Sequence, residues 1–218
     1  MKETMEMHLD AEQRAVLGGM DTPVKIQAFL DTCAYVAEYT NRSPARVMVD
    51  RQAHCLDGGL FAAAALRRLG YPPMVVDIFP DPGMDDDHVL AIFKRNGRYG
   101  AVAKSNFVGL RYRDPVYSTL RELIMSYFEQ FYNLYGVKTL RTYTMPLNVS
   151  RYDRLGWEWQ DSGVDEIEKV LLARKRRPLL TPQMAAELAP VDELTYKAGM
   201  LVANMDGVYK PKQGAPNE

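Results

Sequence analysis

The chain predicts an α+β fold: an antiparallel sheet packed on a helix that begins at Cys55, with extra helices at both termini. Three observations carry this. Residues 56–69 are rich in Ala, Leu and Arg, strong helix formers, and stop at Gly70 before Pro72 and Pro73. Two apolar runs, 74–79 and His88-Val-Leu-Ala-Ile-Phe93, read as strands, and Asn96-Gly97 is the favoured two-residue hairpin turn, returning 98–104 antiparallel. Apolar residues recur at helical spacing near both ends of this block, at Ile26, Phe29, Leu30, Cys33, Val36 and Ala37, and again at Leu120, Leu123, Ile124, Tyr127, Phe128 and Phe131.

In chain order, 10–17 form a short leading helix. Asp21-Thr-Pro23 then caps and starts a helix reaching about residue 39, with Cys33 on its buried face. Ser43-Pro44 opens a short element over 45–49. Pro and Gly make 77–88 a loop, which gathers Asp81, Asp85, Asp86 and Asp87. These acids form a solvated loop or a hard-cation site, although their spacing matches no standard cation loop. Residues 109–117 are extended, and 118–132 form a long helix whose aromatic stripe is core. Residues 139–147 have strand character. Helices follow over 164–174, from Thr181-Pro182, and over 190–202. The run Arg174-Lys-Arg-Arg177 is a solvated helix end, and the polar tail from 211 is disordered. The division expected is a domain over 1–150 and a helical extension over 151–218, or one integrated domain.

Helix position gives Cys55 its interest, because unsatisfied amides and partial positive charge at a helix N-terminus favour a thiolate. A thiolate needs a base, and His88 opens the next hairpin. A Cys starting an Ala-rich helix that ends Ala65-Leu-Arg-Arg-Leu-Gly-Tyr-Pro-Pro73, then a strand, then His at the head of a hairpin, resembles the transglutaminase-like superfamily of papain-type cysteine enzymes. The resemblance covers about 51–106. It implies a transglutaminase-like core with Cys55 as nucleophile and His88 as base, and an Asp on the second hairpin strand, four residues after an aromatic. Here Tyr99 is the aromatic and Ala103 stands in the acid's place. Ser105 or Asn106 would then orient the imidazole, and Gln52 would supply an oxyanion donor alongside the Cys55 amide. Asp87, with Asp86, would raise the pKa of His88 or favour a cationic substrate. Trp157 is a candidate pocket wall, and Arg111 and Arg113 are candidates for pairing with a substrate anion or for packing on aromatics.

At 218 residues the chain is long enough to bury a substantial core. Its 27 basic and 28 acidic residues balance to a formal charge of −1, so no global field recruits nucleic acid or an anionic membrane. The start Met1-Lys-Glu-Thr-Met-Glu-Met is polar and no apolar run spans a bilayer, so a cytoplasmic location with reduced Cys33 and Cys55 is expected. Neither a glycine-rich phosphate loop nor zinc-type spacing occurs, so no cofactor or metal is expected.

The function expected is acyl transfer through a Cys55 thioester on a peptide, a protein or a small amide or ester, resolved by water or an amine. Two readings compete with it. A catalytically degenerate domain of the same family would use the cleft to bind peptide or protein, and a purely structural Cys55 would lie far from His88.

Overall fold

The computed structural model describes residues 3–36 and 40–211. Asp10 caps α1 (Ala11–Gly18) through the Gln13 amide, and Pro23 begins α2 (Pro23–Thr32). Then come β1 (Ala34–Tyr35), α3 (Pro44–Asp50), β2 (Gln52–Ala53) and α4 (Cys55–Arg68). The strands β3 (Met74–Pro80), β4 (His88–Arg95), β5 (Arg98–Val102) and β6 (Arg113–Tyr117) follow, then α5 (Leu120–Met125), β7 (Leu140–Thr144) and β8 (Leu147–Asn148). The chain continues through α6 (Asp161–Ala173), β9 (Arg176–Pro178), α7 (Pro182–Ala186) and α8 (Glu193–Met200).

The main sheet runs β6-β5-β4-β3-β7-β9, with β8 beside β3, and every pairing in it is antiparallel. Asn96 and Gly97 take φ of 52° and 76°, the left-handed pair that a tight hairpin turn requires. Side chains alternate across each strand, which sorts the core into two layers. Val75, Val89, Ala91 and Phe93 meet α4, whereas Val76, Ile78, Leu90 and Ile92 meet Leu123, Tyr127 and Phe131.

Small residues let α4 sit in the middle of the molecule. Every residue from Cys55 to Leu66 is buried, as suits a helix apolar nearly all round. A Cβ on Gly58 would overlap the Lys104 side chain, and one on Gly59 would press on Val89. The glycines thus bring α4 down onto β4 and the segment after β5.

Four expectations are corrected. Helix α2 stops at Thr32 rather than near 39: the Ala34 amide bonds the Arg51 carbonyl at 2.8 Å, drawing 34–35 into parallel pairing with 52–53. Cys33 stays buried at the helix end, and positions 37–39 lie outside the described residues. The long helix over 118–132 is broken after Met125. Ser126 Oγ donates back to the Leu123 carbonyl, and the Ser126 carbonyl accepts from Arg113 instead of from a later amide. The segment read as a loop from Asp77 is strand as far as Pro80. Finally, the basic run lies partly in an edge strand, where the Arg176 guanidinium sits 3.5 Å over the Phe79 ring.

Residues beyond 150 enter the same packing. Trp157, Val164, Ile167 and Leu171 share the α4 layer with Leu60 and Phe61, and β9 extends the sheet. The tail expected to be disordered lies outside the described residues from 212 onward. No described helix is long and apolar enough to cross a membrane.

Candidate functional site

Cys55 is the first residue of α4. His54 caps the helix, its Nδ1 accepting from the Leu56 amide, while the buried Asp57 carboxylate accepts from the amides of His54 and Arg42. This lock sets where the thiol points. Its Sγ lies 3.7 Å from the Asp87 carbonyl, with the Val89 amide also directed at it. Burial, then Asp87 and Asp86, push the thiol well above its ordinary pKa. A helix N-terminus works the other way, but desolvation and neighbouring carboxylates outweigh it.

Strand parity decides what faces that thiol. In the antiparallel β3–β4 pair His88 stands opposite Ile78, and Val89 opposite Asp77. Paired residues share a face. Ile78 belongs to the layer of Tyr127, so His88 points there too, and its Nε2 donates to the Leu110 carbonyl at 2.7 Å. Val89 belongs to the α4 layer, so Asp77 lies on the Cys55 side. Cys55 sits beside the β4 backbone on the α4 side of the sheet, the His88 side chain points to the other side, and no hydrogen bond joins the two among the described residues. Burial lowers His88 to about 4, so its ring is neutral at pH 7.

The thiol opens on a cavity of about 590 Å³. Its walls carry Asp77, Asp86, Asp87, Glu168 and Asp206 against one lysine, Lys210. Asp77 is 1% exposed, and neither of its carboxyl oxygens receives a hydrogen bond from a described donor. The group set against it is the Asp87 carboxyl, with which it can share a proton. Burial first, then Asp87, raise Asp77 well above the carboxylate range, and Asp86 is raised to about 7 for the same two reasons. No group of three or more His, Cys, Asp or Glu among the described residues is arranged to hold a metal ion.

Elsewhere the predicted residues part company. His88, Ser105 and Asn106 line a second cavity of about 40 Å³, which shares Tyr35, Asp86, Asp87, Gly207 and Tyr209 with the large one. Asn106 holds the C-terminal segment rather than His88: its Nδ2 donates to the Asn204 carbonyl at 2.8 Å and its Oδ1 accepts from the Asn204 amide at 2.7 Å. Ser105 Oγ accepts from the Phe107 amide. Gln52 accepts from Arg42 and is not among the residues lining the cavity. Trp157 lines neither of these two cavities, being 0% exposed in the α4 layer with its indole N–H on Asp153. Arg113 stacks 4.1 Å over Tyr127, and Arg111 pairs with Asp31.

Asp77, Tyr35 and residues 206–210 were missed as site residues. An acid inside an otherwise apolar strand, Met74-Val-Val-Asp-Ile-Phe79, was the available signal for Asp77. Nothing local marks the others, which reach the cavity from distant parts of the chain. Comparison with protein families and with curated proteins finds no match to this chain.

Proposed function

We propose that the chain is a ligand-binding module on a transglutaminase-like frame, which holds a peptide or a small polar ligand in the cavity beside Cys55 without forming a thioester. One observation carries the reading: Cys55, at the start of α4, lies on one side of the β3–β4 pair, and the His88 side chain points to the other. A nucleophile needs its base within hydrogen-bond reach. Here the thiol is neutral and faces carboxyls, while the imidazole is neutral and bonded to a backbone carbonyl. The missing acid points the same way, for Ala103 is fully buried and both its backbone groups are bonded to Gln27.

Acyl transfer is the second reading, favoured by the place of Cys55 at the start of α4 and on the cavity wall. Alkylation by iodoacetamide across pH separates the two, using the parent chain, Cys33→Ala and His88→Ala. The binding reading expects a Cys55 that reacts slowly, shows no thiolate fraction below the usual thiol value of about 8.5, and keeps its rate in His88→Ala. A thiol titrating well below that value, with the shift lost in His88→Ala, sinks the binding reading and restores the enzyme.

A further inference from the structure

We infer that the cavity is a receptor for a guanidinium group, as on an arginine side chain, seated on Asp77 and Asp87. The inference rests on the binding reading above. Acidic walls alone are common on protein surfaces and specify nothing. Asp77 differs because it is buried in the sheet, faces the cavity, and leaves both carboxyl oxygens without a described donor. Such a buried carboxyl stays protonated against Asp87, and its ionised form carries a large desolvation cost unless a ligand supplies N–H groups. Asp87 adds a second carboxyl against the first, so the pair presents acceptors for a fork of donors.

Guanidinium fits this better than ammonium does. It offers five N–H donors in a rigid plane and matches a carboxylate two bonds at a time. It is also more weakly hydrated, so it gives up less on entering a site as closed as that of Asp77. A cavity of about 590 Å³ exceeds one arginine side chain and leaves room for the residues flanking it. The metal alternative has no matching group of ligands among the described residues.

Binding should also depend on pH. Asp77 faces Asp86 and Asp87 from the turn before β4, Cys55 from α4 and Arg176 from β9, with Glu168, Tyr35 and Lys210 on the remaining walls. Like charges crowd it, and Arg176 is the cation named against them. Asp77 and Asp86 therefore hold protons near neutrality, and a cation must displace them. Affinity should accordingly rise with pH between about 6 and 8, with proton release on binding.

The test is titration calorimetry on the full chain with three probes of one shape class: Nα-acetyl-arginine amide, the lysine analogue, and the citrulline analogue, which keeps the arginine outline without its charge. The arginine probe should bind about tenfold or more tightly than the other two. It should release protons, as read from two buffers of different ionisation enthalpy, and lose its advantage in Asp77→Asn. Should that variant not fold, Asp87→Asn serves in its place. Equal affinity for the arginine and citrulline probes overturns the inference while leaving the binding reading intact, as does tighter binding of the lysine probe. Absence of binding by the arginine probe also overturns it. A covalent adduct at Cys55, seen by mass spectrometry after any probe, overturns the binding reading but not the guanidinium preference.

Discussion

On the face of β3 and β4 that meets α4, Asp77 and Val89 lie on the side of Cys55; on the other face, Ile78 and His88 join the layer of Tyr127 and Phe131. On the α4 face Gly58 and Gly59 let the helix approach closely, and a cavity of about 590 Å³ lies at its N-terminal end. The opposite face packs aliphatic residues with Tyr127, Phe128, Phe131 and Tyr143, and a cavity of about 40 Å³ lies beside His88. The same two strands supply both. Cys55 and His88 are therefore divided by the sheet, because successive residues on a strand point opposite ways.

The largest effect expected on the α4 face is from Trp157→Ala. A fully buried indole lost from that layer should cost about 3–5 kcal/mol, read as a lower midpoint in urea, and it should do so without touching the cavity. A loss below about 1 kcal/mol would mean that the segment after 150 does not support α4. Gly58→Ala comes next. Its new Cβ would overlap Lys104, so overpacking of about 1–3 kcal/mol is expected, in contrast to the usual gain from removing a helical glycine. Equal or greater stability in this variant would break the close-approach account of the α4 face.

The pH dependence of stability separates the histidines from the buried carboxyls by sign. His54 and His88 are lowered to about 4, so the unfolded chain binds more protons between about 4 and 6.5, and in that window they favour stability rising with pH. Asp57 and Asp86 are raised to about 7, and Asp77 is pushed up too, by burial and by Asp87, so the folded chain binds more protons there, and these groups favour stability falling as pH rises. Above about 6.5 the histidines are neutral in both states. From there to pH 8 stability should fall, by up to about 1.4 kcal/mol per pH unit for each carboxyl still titrating. Asp77→Asn should flatten the decline. A thermal-melt series that rises over that interval would contradict the protonated cavity.

Asn106→Ala tests the smallest expected effect. It removes two bonds to Asn204 and should cost about 1 kcal/mol, with faster hydrogen exchange at the Asn204 amide and no change in Cys55 alkylation. Slower alkylation without faster exchange would return Asn106 to the imidazole.

By itself the sequence determined the elements whose causes are local. The helix starting at Cys55 and ending before Gly70, the strands on either side of Asn96-Gly97, and the proline start of α2 at Pro23 follow from propensity and turn chemistry, and the structure has them within a residue or two, although Thr22 precedes α2 without a side-chain capping bond. Breaks that depend on remote partners were not legible: α2 ends early because Arg51 draws Ala34 into pairing, and the helix after Ser118 ends because Arg113 takes the Ser126 carbonyl. The candidate site divides the same way. Cys55 at a helix start could be read from neighbouring residues, but the face to which His88 turns depends on the parity of β4 relative to α4, and a shift of one residue reverses it. Only the tertiary structure set Asp77 on the cavity wall, buried Trp157, and brought 204–210 across from the far end of the chain to Asn106 and Tyr35.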